Sequence, residues 1–235
     1  MKTIVLDPGH GGSDPGAVNR KHNLEEADMT LDVCRRIKAI LNDFGTLRVI
    51  MTRDSDASVS LPERVRISNR YQTAAFLSYH FNSASNPNVP LSFEGFTTPG
   101  KTKADALATA VLQRHAKAFP DQTPRFGLTD GDPDKEASFY VIRKTHAPAF
   151  LMEGEFIHTD HGAKFIADPQ NRERMARAAA YGLLDFLGIK AGQATANTPP
   201  AVGEADLPKQ IDLEHLRAHA ETIATNARSI LSLTD

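Results

Sequence analysis

The sequence predicts an α/β layered domain: a mostly parallel or mixed twisted sheet of about six strands, flanked by helices, with a further helix at the C-terminus. Three observations predict it. Short β-branched or apolar runs alternate with longer stretches of three- and four-residue apolar spacing. Several of the short runs are apolar almost throughout, as in strands covered on both faces. Hydrophobic residues make up 40% and charged residues 24% of 235, enough for a sizeable core.

Residues 3–6 (Thr-Ile-Val-Leu) read as the first strand. Ala27, Leu31, Cys34, Ile37 and Leu41 then mark one face of a helix over about 24–44, stopped by Gly45. Strands at 47–51 and 75–79 bracket a helix at 61–71. A strand at 93–97 and a helix at 103–119 follow. Residues 120–135 are turn-rich and predict a loop. Strands at 139–142 and 149–152 precede one long helix over about 161–187, closing at Gly188.

The first domain therefore spans 1–190. Residues 191–210, rich in Ala, Gly, Thr and Pro, read as a linker. In 211–235, Leu213, Leu216, Ala220, Ile223, Ala227 and Ile230 step by three and four, the seam of an amphipathic helix. That helix either docks on the first domain or supports weak self-association.

Other function classes are excluded early. A net charge of -2 leaves no global basic field for nucleic acid. A single cysteine, Cys34, excludes an intrachain disulfide framework and a multi-cysteine zinc ribbon. No apolar stretch reaches the ~18 residues that cross a bilayer. The N-terminus lacks the apolar stretch and cleavage site of a secretory signal. That pattern fits synthesis in the cytoplasm, or a trimmed mature chain.

Ligands of open α/β sheets sit outside the carboxyl ends of the strands. The first strand runs into Asp7-Pro8-Gly9-His10-Gly11-Gly12-Ser13-Asp14-Pro15-Gly16. The third ends in Ser78-Tyr79-His80-Phe81-Asn82 and the last in Met152-Glu153. Glu25 and Glu26 open the first long helix. Two histidines and two or three carboxylates thus converge on one edge. Two histidines and one carboxylate, with a fourth position open for water, form the pattern of hydrolytic zinc. A further, unligated carboxylate can take the proton of that water and pass it to a leaving amine. The glycines around His10 predict a sharply turning loop that a substrate can approach. There is no GxGxxG and no Gly-Lys-Ser/Thr, so this is no phosphate cradle.

Other polar residues read as structural. His22 is a solvated loop histidine, and His158 and His161 are surface residues. His215 and His219 lack the intervening Glu of an HExxH motif. Cys34 belongs to the core. Arg64, Arg66 and Arg70 form a solvated face, from which one can pin a carboxylate.

The stretches IVLDPGHGGSDPGAV (4–18), EADMTL (26–31), TRD (52–54) followed by Leu61-x-x-Arg64, SYHFN (78–82), EGF (94–96) and VIRKTHAPAFLMEGEF (141–156) carry a family resemblance. The chain resembles the zinc-dependent N-acetylmuramoyl-L-alanine amidases of bacterial cell-wall hydrolases and phage endolysins, over about residues 3–187. The resemblance implies one Zn²⁺, a peptidoglycan substrate and hydrolysis of the amide between N-acetylmuramic acid and L-alanine. It places the zinc ligands on His10, His80 and Glu26, with Glu25 the alternative for the last. It places the catalytic carboxylate on Glu153, and an asparagine that orients substrate or loop on Asn82. Glu155 stands where the family has glycine, so a second carboxylate is expected near the site. Strand alternation would point Glu155 the same way as Glu153. Action at the cell wall would follow phage-type release or export of a trimmed chain. Two rival readings are a zinc peptidase cutting within the stem peptide and a wall-binding module without catalysis.

Overall fold

A computed structural model describes residues 1–127 and 131–190. The expected linker and C-terminal helix, with the seam and His215 and His219, lie outside the described residues.

Among the described residues, the sheet has seven strands. β1 (Lys2–Pro8) lies between β4 (Leu47–Met51) and β5 (Thr73–Asn82), parallel to both. β9 (Ala149–Phe156) runs parallel along the other side of β5. β6 (Ser92–Thr97) pairs antiparallel with β9. Two-residue strands β7 (Thr123–Pro124) and β8 (Lys135–Glu136) extend β6. A separate hairpin, β2 (Val18–Asn19) and β3 (Leu24–Glu25), precedes the first helix.

Helices cover both faces, because alternate residues of each central strand are apolar on both sides. Ile4, Leu6, Leu77, Phe150 and Met152 pack in one core with α1 (Glu26–Asn42), α3 (Lys103–Ala118), α5 (Asp160–Ala167) and α6 (Pro169–Leu187). Val5, Phe76 and Leu151 face the other way, against Val65 of α2 (Leu61–Asn69) and Val141 and Ile142 of α4 (Tyr140–Lys144). Cys34 is fully buried on the inner face of α1, as its spacing predicts.

Two expectations need correction. Residues 139–142 are no strand: Phe139 caps α4, which covers the sheet face with Val141 and Ile142. A four-residue apolar run has no periodicity that separates a strand from one buried turn of helix. The long helix over 161–187 is two helices. Pro169 cannot continue α5 and disfavours helical backbone at Asp168, whose side chain accepts from Gln170 N at 2.8 Å and starts α6.

α3 and α6 cross closely at Gly182. A Cβ there would lie 2.6 Å from Val111 Cα and 2.9 Å from Val111 N. Gly182→Ala should therefore lower the thermal midpoint, although alanine favours an isolated helix by about 1 kcal/mol. Thermal unfolding of both proteins checks this.

Candidate metal centre and active site

β1, β5 and β9 end at one edge of the sheet, and three loops meet there. The loop after β1 is closed by a two-way bridge between Gly11 and Asp14 (2.8 and 3.2 Å). Its return is tied to the start of α1, where Glu26 N donates to Ala17 O and Ala27 N to Pro15 O. His10 sits in this loop with φ 61, in the left-handed region that few non-glycine residues adopt. Two glycines let the chain close around the site. A Cβ on Gly9 would strike the His80 ring at 2.2 Å, and one on Gly16 would meet His10 at 2.6 Å and Glu26 at 2.7 Å.

His10, Glu26 and His80 converge. Their ligand atoms lie within 4.8 Å of one another. Glu26 Oε1 is 3.1 Å from His10 Nε2 and 3.0 Å from His80 Nδ1. Backbone N–H groups steady the carboxylate: Phe81 N donates to Oε1 and Ala17 N to Oε2, both at 3.0 Å. Asp14 Oδ2 lies 2.9 Å from His10 Nδ1. With a metal bound, the proton on Nδ1 would point to Asp14 and the Nε2 lone pair to the ion; without one, the protonated ring donates from Nε2 to Glu26 as well. Burial alone would raise the Glu26 pKa, but the hydrogen bonds and charges of the two histidines outweigh it and hold the carboxyl far below the usual range. The neighbouring Glu25 is exposed in β3 and outside this cluster.

Glu153 stands beside His80 in the β5–β9 register. Its Oε2 is buried and has no hydrogen-bond partner. Burial, then the charges of Glu26 and Glu94, push its pKa well above the ordinary carboxylate value. Asn82 donates from Nδ2 to Glu94 and accepts from Ser83 N at 2.8 Å.

Glu155 does not face this site. The register passes from His80↔Glu153 to Asn82↔Phe156, so β9 carries one extra residue and the alternation breaks. The Glu155 carboxylate accepts from Ser92 N, Phe156 N and Gln122 Nε2 (3.2, 2.7 and 2.7 Å). Gln122 in turn bonds the buried His115 of α3. Burial raises the Glu155 pKa to about 7, against the pull of those donors.

The histidines expected at the surface hold loops. His22 is half-buried, not solvated, and pairs with Asp160 at 2.6 Å. His158 Nε2 contacts Asn86 O at 2.8 Å and His161 Nε2 contacts Val89 O at 2.6 Å, so both anchor the segment after β5.

Two arginines brace the site from below. Arg64 is buried, not solvated: it donates to Asp7 Oδ1 (2.8 Å), Pro8 O and His10 O (both 2.6 Å). Of the three arginines near α2, this is the one that pins a buried carboxylate; Arg66 pairs with Glu63 at the surface. Arg53 has no sequence expectation attached to it beyond the TRD stretch. Its Nη2 donates to Gly9 O and Ala27 O, both at 2.7 Å, and so locks the His10 loop to the first turn of α1. Its position straight after β4, at the ligand-bearing edge, was the available signal.

A cleft of about 370 Å³ opens beside His10 and His80, between Ser13, Ser58, Ser60 and Val141. Among the described residues, no helix is long and apolar enough to cross a membrane.

The comparisons with known proteins agree on one family. Its profile, N-acetylmuramoyl-L-alanine amidase, matches residues 4–185. The chain belongs to the N-acetylmuramoyl-L-alanine amidase family. It is 30% identical to the sporulation-specific N-acetylmuramoyl-L-alanine amidase of Bacillus subtilis, over 97% of this chain and 82% of that one. It is 29% identical to the endolysin of Bacillus phage SPP1, over 80% of this chain and 67% of that one. Among solved structures, the N-acetylmuramoyl-L-alanine amidase AmiC2 of Nostoc punctiforme superposes with a TM-score of 0.72 at 32% identity, over 80% of this chain and 97% of that one.

The bracing predicts a stability effect. Arg64→Met leaves the Asp7 charge buried without its counter-ion and should cost about 3–5 kcal/mol. Arg66→Met should leave the midpoint of urea unfolding unchanged. Equal midpoints for the two variants would contradict the bracing role.

Proposed function

We propose that the chain hydrolyses the amide between N-acetylmuramic acid and L-alanine in peptidoglycan, with one Zn²⁺ held by His10, Glu26 and His80 and with Glu153 as the proton-transfer group. The observation that carries this reading is the His10–Glu26–His80 cluster beside a carboxyl on the next strand whose Oε2 is buried and unpartnered among the described residues, in a chain of this family.

The donor set fits zinc. Two imidazole nitrogens and one carboxylate oxygen lie within 4.8 Å of one another, Asp14 contacts the far nitrogen of His10, and a cleft opens beside the two histidines. A bound zinc supplies a Lewis acid for the amide carbonyl and lowers the pKa of water to about 7. The protein supplies the rest. Glu153 accepts a proton from the attacking water as its oxygen bonds to the carbonyl carbon. The carbon–nitrogen bond then breaks, and Glu153 returns the proton to the departing L-alanine nitrogen. Burial without a hydrogen-bond partner favours a carboxyl that is easily reprotonated. The products are a lactyl carboxylate on the glycan and a free stem peptide. This substrate places the action at the cell wall, where the phage endolysin relative suggests one route.

Mass analysis of soluble products from purified peptidoglycan tests the reading. Zinc-loaded protein should release stem peptides beginning at L-alanine. Glu153→Gln should lower that release by about 10²–10⁴-fold with zinc content unchanged. His80→Ala should lose the zinc. Fragments cut within the stem would make the protein a peptidase. Binding to the wall with no products from zinc-loaded wild type would make it a binding module.

A further inference from the structure

The row of side chains at the sheet edge continues past Glu153. Glu94 of β6 lies directly across from Glu153 in the antiparallel register, so the two side chains share a face of the sheet. The Glu94 carboxylate is buried. It accepts from Asn82 Nδ2 on one oxygen, and from Arg125 Nε (3.1 Å) and Lys135 Nζ on the other. Two cations against one carboxylate leave a surplus positive charge beside the site.

Arg125 uses only Nε in that ion pair, and its guanidinium carbon lies 5.3 Å from the centre of the buried Phe156 ring. Among the described residues, Nη1 and Nη2 have no partner, and the side chain is 44% exposed. An arginine held by an ion pair and a ring, with its fork free, is a preorganised receptor for a carboxylate.

We propose that Arg125, backed by Lys135, is a subsite for a free carboxylate on the peptide part of the substrate: the α-carboxylate of the second stem residue. The proposal rests on the amidase reading. Neighbouring strands are about 4.8 Å apart, so Glu94 lies about one strand beyond Glu153, and the guanidinium one hydrogen bond further. Two residues of extended chain span about 7 Å. A stem peptide leaving from Glu153 along this row therefore brings its second residue to Arg125. In peptidoglycan that residue is a D-glutamate linked onward through its side chain. Its α-carboxyl is free in some walls and amidated in others.

The test uses two soluble muropeptides that differ only in this group, carboxylate or carboxamide. Turnover is measured with the zinc-loaded wild type, Arg125→Gln and Arg125→Lys. Affinity for both compounds is measured in a Glu153→Gln background, so that binding is read without turnover. Wild type should favour the carboxylate by about tenfold or more, mainly in KM, as expected for a charge-assisted hydrogen bond. Arg125→Gln should bring the ratio toward one, and Arg125→Lys should retain part of it. Asn82 and Lys135 still hold Glu94 in these variants. The ratio within one protein is also insensitive to a general loss of active enzyme. Equal affinity for the two compounds in Glu153→Gln with Arg125 intact, or the same ratio with Arg125→Gln as with Arg125 intact, would overturn the proposal. Failure of the amidase reading would appear separately, as uncut compounds or cuts inside the stem, while the affinity ratio still decides the subsite.

Discussion

The buried ion pair between Asp7 and Arg64 is the interaction on which the rest of the site depends. Asp7, one residue before the end of β1, has almost no solvent contact, and such a charge persists only when fully partnered. Its partners come from three directions: Thr52 after β4 (2.6 Å), Ser78 of β5 (2.8 Å) and Arg64 of α2 (2.8 Å). Arg64 then reaches forward to the carbonyls of Pro8 and His10. One charge pair thus joins strand, helix and loop, and fixes the backbone that carries His10. Arg53 does the same from the other side, between Gly9 and the first turn of α1.

With the backbone fixed, environment separates the tasks of two carboxylates. Glu26 is buried among histidines and backbone N–H groups, so it stays ionised and suits a cation. Glu153 is half-buried, with Oε2 itself buried and unpartnered among the described residues, and it lies beside two like charges, so its neutral form is favoured. Two identical side chains at one edge of the sheet are driven in opposite directions, the usual mark of a ligand beside a proton carrier. The same edge continues through Glu94 to two cations, where charge of the opposite sign becomes available.

The sheet edge was legible in the sequence because strand ends carry their polar residues in plain view. His10, His80 and Glu153 each follow an apolar run, and five of the six expected strands are present. The choice between Glu25 and Glu26 was not legible: it depends on one residue of phase, which the ties of α1 to Ala17 and Pro15 set. Glu155 misleads because alternation assumes a regular strand, and a bulge is invisible without its partner. Arg64 reads as a surface residue on a short polar helix, since only the buried Asp7 across the fold explains it. The four residues at 139–142 and the break at Pro169 are failures of a different kind, where a short run or a single proline outweighs a pattern.

The most direct test of the account is a crystal structure of zinc-loaded protein with anomalous data collected at the zinc edge. A single zinc peak coordinated by His10, Glu26 and His80 is expected, with Glu153 nearby but not a ligand. A zinc bound through Glu25 or Glu155, or no peak at this edge of the sheet, would contradict it.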